Sequence, residues 1–255
     1  MVDSQRVALE EAQPAELWPP DDTEESVLGT NLHQTTITNV RLALNEIAAA
    51  HPSPRGSRPW QALGQTMITG LQRPDGSRYT VLPDVFVYPR PIDDRRGSLA
   101  LALDGPPALV IEVLSDATYR SDLDMERGKG YSYARAGVRE YLVLDPIGEF
   151  VPEQVRGWRL EGDAYRPLAP DAQGRWQSRE VGAAFSFAGV QVAVYGPQGQ
   201  RQLREGEITQ ELERRDRQYA EALERRDRQY AEALARQEQE LAALRDQVER
   251  LRRGQ

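Results

Sequence analysis

The sequence predicts an α/β domain ordered as helix, three strands, helix and strand, with extra strands towards its C-terminal side, followed by a long coiled-coil helix. Three observations carry that expectation. Short apolar runs at 82–88 and 108–114 have the length and β-branched content of buried strands. Between 115 and 136, a stretch opened by helix-start residues and closed by Gly137 joins the second run to another at 140–145. Beyond Gly199 the unit ERRDRQYAEAL occurs twice in succession, at 213–223 and 224–234.

The elements follow in order. Residues 1–25 hold eight acidic groups against Arg6 alone, with Pro14 and Pro19-Pro20, and read as a disordered acidic arm. The domain then spans 26–200. Ile37, Val40, Leu44 and Ile47 recur at helical spacing, with Thr30 or Asn31 as the cap and Pro52 as the stop. Residues 60–71 and 79–88 form a hairpin turning at Arg73-Pro74-Asp75-Gly76, and 108–114 is the third strand. Ser115, Asp116 and Thr118 suit helix capping, while Asp122 is open between capping and function. One helix runs on to about Ala136, and Gly128 and Gly130 inside it mark close packing or ligand approach, since each costs about 1 kcal/mol relative to Ala. Tyr131 and Tyr133 read as packing residues and Asp145 as a turn residue. Further strands at 157–160, 164–168 and 190–195 extend the sheet.

Composition narrows the function classes. The chain has 255 residues and no cysteine, which rules out disulfides and fits a reducing cytoplasm. With only His33 and His51 besides, a zinc site is not expected. No apolar stretch approaches the ~20 residues a membrane helix needs, and residues 1–13 lack the pattern of a secretory leader. The net charge of −8 is concentrated in the acidic arm, so the body is close to neutral and can carry a local basic patch for nucleic acid. Arg55, Arg58, Arg90, Arg95, Arg96, Arg120, Arg127 and Arg135 lie near the candidate site in sequence, where solvated surface arginines are the plainer explanation.

Two carboxylates and one amine carry the chemistry. Glu112 stands in the middle of an apolar strand, where an ionised carboxylate must be paired, protonated or bound to a metal. Alternation places Val110, Glu112 and Leu114 on one face and Ile111 and Val113 on the other. If Asp84 lies on the neighbouring strand, the two acids meet, and with the Val113 carbonyl they offer oxygen ligands to a hard cation such as Mg²⁺. A turn role for Asp84 and an arginine ion pair for Glu112 are the alternatives. Of the 32 basic residues only Lys129 is lysine. An ammonium is a compact point charge able to orient water beside a metal, whereas a guanidinium favours planar bidentate partners; a lone lysine on a solvated helix face is the alternative.

Pro83-Asp84, Glu112-Val113-Leu114-Ser115, Thr118, Asp122, Lys129, Tyr133, Gly137-Val138, Glu140-Tyr141 and Asp145-Pro146 together resemble the Uma-type restriction endonuclease family of the PD-(D/E)XK nuclease superfamily. The resemblance covers roughly 26–195. It implies a restriction-endonuclease-like αβββαβ core and Mg²⁺-dependent hydrolysis of DNA phosphodiesters, with Mn²⁺ able to substitute. It also implies catalytic roles for Asp84, Glu112 and Lys129, metal ligation by Asp84, Glu112 and Val113, and DNA as partner. The superfamily lysine usually stands two residues after the Glu, where this chain has Leu114; Lys129 matches branches that take the amine from the following helix. The family often has a histidine near the position of His33, for which capping or exposure is an equal reading. The alternative function is a catalytically silent platform acting through its coiled coil.

The tail, residues 201–255, supplies that coiled coil. Leu212, Tyr219, Leu223, Tyr230, Leu234 and Leu241 are spaced 7, 4, 7, 4 and 7, and Leu244, Val248 and Leu251 continue at shorter intervals. An 11-residue period gives 3.67 residues per turn and a straight or slightly right-handed bundle. The expectation is self-association through residues 205–253, with a single solvated helix as the alternative.

Overall fold

The computed structural model of the chain describes residues 24–51, 60–64, 66–93 and 95–253. The chain divides into two compact units, Met1–Arg204 and Glu205–Gln255. Residues 1–23 of the predicted arm, together with Arg55 and Arg58, fall outside the described residues.

In the first unit, α1 (Glu24–Ala50) precedes β1 (Gln61–Leu63), β2 (Met67–Gln72), β3 (Arg78–Val81), β4 (Val85–Tyr88), β5 (Ser98–Ala100) and the single-turn α2 (Leu101–Asp104). Then come β6 (Leu109–Val113), α3 (Tyr119–Leu123), α4 (Lys129–Ala136), β7 (Glu140–Leu144), β8 (Val155–Glu161), β9 (Ala164–Pro167), β10 (Trp176–Gln177), β11 (Ala184–Ala188) and β12 (Gln191–Tyr195). The main sheet has the order β1-β4-β6-β7-β8-β9. Its centre, β6 beside β7, is parallel, and the α3–α4 segment makes the crossover that this requires. The other pairs in the sheet are antiparallel. This is a restriction-endonuclease-like α/β architecture.

Every residue of β6 and β7 is buried, because both faces of the sheet are covered. Leu109, Ile111 and Val113 pack with Ile37, Val40, Leu44 and Ile47 of α1 and with Phe185, Val192 and Val194 of a second, three-stranded sheet, β10-β11-β12. Val110 and Leu114 pack in a separate core with Tyr133, Tyr141 and Val143 and with the third sheet, β3-β2-β5. Glu112 shares the Val110 face, as alternation requires.

The structure corrects several expectations. The strands predicted at 60–71 and 79–88 are each divided: β1 pairs with β4 in the main sheet, while β2 pairs with β3 in another. Pro83 explains one break, since it has no N–H for a central ladder. Gly64 explains the other, since a Cβ there would stand 2.8 Å from the Asp84 carbonyl. The turn at Arg73–Gly76 does close a hairpin, between β2 and β3, with Gly76 at φ +83°. The helix predicted to start at Thr30 or Asn31 begins at Glu24. The helix predicted to run to Ala136 is broken into α3 and α4. Asp124 breaks it by accepting from Glu126 N and Arg127 N, both at 2.9 Å, which offers the backbone an alternative to the helix ladder. Thr118 occupies the position before α3 without a side-chain capping bond. Of the later strands, β8 and β9 extend the main sheet, whereas 190–195 belongs to the separate β10-β11-β12 sheet.

Glu140 locks the strand end nearest this second sheet. Fully buried on β7, it accepts from Arg159 Nε at 2.9 Å and Nη2 at 2.7 Å, from Ser178 Oγ at 2.5 Å and from Arg179 N at 3.1 Å. Removing one partner of such a buried pair leaves the other uncompensated, so Glu140→Ala is expected to lower unfolding stability by about 3–5 kcal/mol. Ser178→Ala is expected to cost only about 1 kcal/mol. Urea unfolding of the two variants measures both.

Candidate active site

Asp84 immediately precedes β4, and the antiparallel register Val85↔Ile111 carries Asp84 to a place opposite Glu112. The two acids are cross-linked through the backbone. Val113 N donates to Asp84 Oδ2 at 2.8 Å, and Asp84 N donates to Glu112 Oε2 at 3.3 Å. Lys129, the first residue of α4, brings its Nζ to 3.2 Å from Glu112 Oε1 and 2.8 Å from Asp122 Oδ1. Both Asp122 oxygens are buried, and Lys129 is the cation in contact with that carboxylate. Tyr133, one turn beyond Lys129, donates to Glu112 Oε1 at 2.6 Å. His33 of α1 reaches the far end of β6, where its Nε2 lies 2.8 Å from the Val113 carbonyl and 3.5 Å from Asp84 Oδ2. A carbonyl can only accept, so Nε2 carries the proton.

The backbone around Lys129 is set by close approach. A Cβ on Gly128 would stand 2.2 Å from the Ser121 carbonyl and 2.8 Å from that of Asp124. Gly128 is therefore needed where α3 and α4 meet, and it is the residue before α4 rather than a mid-helix glycine. A Cβ on Gly130 would meet the flexible end of Met125 at 2.4 Å and the Met125 Cα at 3.2 Å.

Three buried or half-buried carboxylates thus share one ammonium. Burial pushes the Glu112 carboxyl up to about 8, with Lys129 pulling it back and Asp122 adding to the rise. Burial also raises Asp122 against the opposing Lys129 charge. For Lys129, burial acts downward, but Glu112 and Asp122 outweigh it and hold the ammonium above its ordinary range. The rise on both sides of the Lys129–Glu112 contact is consistent: the lysine sees several acids, and each acid has a share of one lysine. His33 is likewise pulled down by burial, yet its hydrogen bond and charge contact with Asp84 move it upward overall.

Among the described residues no three His, Cys, Asp or Glu side chains gather as a metal site by themselves. The donor set that remains is two carboxylates and a main-chain carbonyl. Glu112 Oε1 is taken by Tyr133 and Lys129, whereas Oε2 has only the long bond from Asp84 N. Asp84 Oδ1 carries none of the contacts above, and the Val113 carbonyl keeps a lone pair beyond its bond to His33. Oxygen donors of this number fit a hard cation that retains several waters.

The structure brings Asp84, Glu112, Val113 and Lys129 together. It adds Asp122, Tyr133 and His33. Tyr133 falls four residues after Lys129, on the same helix face, and that spacing was a usable signal. Sequence alone leaves Asp122 open between capping and function. His33 is 80 residues from Val113 in sequence, and no local pattern reports such a contact.

A six-stranded sheet with a parallel centre and a helical crossover between its central strands is a restriction-endonuclease-like domain. The chain matches the family Uma2, described as "putative restriction endonuclease", over residues 15–193, and it belongs to that family. No curated protein matches it.

Stability should report the site's excess of acids. The proton that Glu112 binds in the folded state, but releases near pH 4.5 when unfolded, stabilises the fold fully below that pH and is lost as pH rises through about 8. The urea midpoint of the metal-free protein is therefore expected to fall across this window. Glu112→Gln should flatten the fall; an unchanged slope in that variant counts against burial of an ionisable Glu112.

Proposed function

We propose that the protein is a Mg²⁺-dependent endodeoxyribonuclease, with Mn²⁺ as a substitute cation, and that it works in the cytoplasm. The observation that carries the reading is the convergence of Asp84, Glu112 and Lys129 beside the Val113 carbonyl at the end of β6. Asp84, Glu112 and the Val113 carbonyl would hold the cation. When bound, the cation supplies a water of lowered pKa and a Lewis acid for the scissile phosphate. Lys129 orients the attacking water and offsets the charge that develops on phosphate, as a preorganised charge in a site shielded from bulk water. Asp122 holds the Lys129 ammonium from the side opposite Glu112. Tyr133 fixes the rotamer of Glu112 by its hydrogen bond and leaves Oε2 as the ligand oxygen.

Local charge supports DNA as the substrate. Arg90 and Arg96 share Asp104, and Arg95 pairs with Asp93, so these three guanidiniums keep one positive charge between them. Arg120, Arg127 and Arg135 are exposed around α3 and α4, and among the described residues no carboxylate pairs with them. Phosphates on either side of the scissile bond are their natural partners. The long second unit acts as a self-association element.

Plasmid cleavage with Mg²⁺ or Mn²⁺ tests the reading. Asp84→Ala, Glu112→Ala and Lys129→Arg are each expected to reduce the rate by on the order of a hundredfold or more. Tyr133→Phe and Asp122→Asn are expected to lower it by roughly tenfold while cation binding by calorimetry persists. Cleavage that survives all three of the first set points to a contaminant. Uncut DNA in several forms, with no heat of cation binding, would leave the silent platform as the better account.

A further inference from the structure

The second unit is one helix, α5 (Glu205–Arg253), whose apolar stripe is exposed at its described residues. Tyr219 and Tyr230 are each 72 % exposed, and Leu212 is 55 % exposed. On an 11-residue period the leucines at 212, 223 and 234 and the tyrosines at 219 and 230 lie along one line of the helix. Three residues after a leucine falls on one edge of that line, and four residues after falls on the other. Arg215 and Arg226 hold the first edge, and Asp216 and Asp227 hold the second.

We infer that α5 pairs with a second copy of itself in parallel and in register, as a dimer whose two rims are Arg–Asp ladders. This rests on the self-association proposed above and adds its geometry. In a parallel pair the symmetry axis runs along the helices, so the arginine edge of each chain faces the aspartate edge of the other on both sides of the seam. Arg215 then meets Asp216 of the second copy, and Arg226 meets Asp227. In an antiparallel pair the axis is perpendicular, arginine edge faces arginine edge, and aspartate faces aspartate. Like charges across a seam suppress that arrangement. Within one chain, Arg226 is 3.8 Å from Asp227, and Arg215 donates to Glu211 Oε1 at 3.1 Å with its guanidinium 71 % exposed. Such surface pairs contribute little and do not compete with an interchain ladder. Only two large apolar positions recur per 11 residues, beside two alanines, a narrow seam that suits two helices rather than three or four. The junctions at Arg204 and Glu205 of both chains then lie at one end of the rod, so two nuclease-like domains are tethered together, as a duplex with two scissile strands requires.

The full-length chain has no cysteine, which makes single-cysteine cross-linking clean. Sedimentation at tens of micromolar should show a dimer, and Leu212→Cys should form a disulfide with itself under mild oxidation. Asp227→Arg should weaken the dimer by roughly tenfold, and mixing that variant with Arg226→Glu should restore it. A monomer overturns self-association and this geometry together. A dimer in which Leu212→Cys cross-links only when mixed with Arg245→Cys is antiparallel and overturns the geometry alone, as does a trimer or larger assembly. A dimer indifferent to Asp227→Arg overturns the charge ladder.

Discussion

Holding several carboxylates out of water beside a single ammonium is the constraint around which the first unit is arranged. Glu112 sits in a strand buried on both faces, and a carboxylate there is tolerable only with a partner in reach. Lys129 meets that need from the first residue of α4, which is electrostatically the wrong end of a helix for a cation. The dipole opposes it by only about 0.3–1 kcal/mol, and Glu112 and Asp122 outweigh that. A local preference overridden in this way is expected where function, not folding, selects the residue. The break between α3 and α4 serves the same end. Without the turn nucleated by Asp124 and the close approach at Gly128, a continuous helix would carry Lys129 on a different course past the sheet.

The two sides of β6 divide the labour. Ile111 and Val113 belong to the core built on α1, and Val110 and Leu114 to the core built on α4 and the β3-β2-β5 sheet. The candidate site forms at the strand end where both cores stop. Side chains from both faces therefore reach it: His33 comes from the α1 side to the Val113 carbonyl, while Tyr133 comes from the α4 side to Glu112. Val113 is the hinge of this arrangement. Its side chain is core, its N–H fixes Asp84, and its carbonyl is a candidate ligand. Substitution of the side chain would disturb packing first and the site second, whereas the backbone groups that matter to the site are indifferent to side-chain identity.

Sequence pattern revealed what depended on periodicity and little of what depended on pairing. The β6 strand, the crossover and β7 were legible because continuous apolar runs and a Gly stop have one good explanation, and Gly137 does end α4 in the left-handed conformation at φ +85°. Which sheet a strand joins has no local signature, so 60–71 and 79–88 were read as one hairpin although their halves pair with different partners. The same asymmetry holds for the site. Asp84 and Glu112 stood out because each is an acid in an apolar run, and Lys129 because it is the one lysine of the chain. Tyr133 reads as a packing residue because a tyrosine on a packed helix has an ordinary explanation, and Asp122 stays open because an aspartate near a helix start suits capping as well as function.

Net charge is a poor guide to partner choice in this chain. The acidic excess is largely confined to residues 1–25, whereas phosphate is felt over a Debye length of roughly 8–10 Å. Within that range of α3 and α4, what counts is whether arginines are already spent on neighbouring acids. Arg90, Arg95 and Arg96 are in large part, since the three share Asp93 and Asp104 and keep one positive charge between them. Arg120, Arg127 and Arg135 keep their charge, on the same crossover that delivers Lys129. The amine at the candidate centre and the guanidiniums around it therefore arrive on one segment, residues 119–136, so positioning that segment against β6 orders the proposed chemistry and the proposed phosphate contacts in a single step.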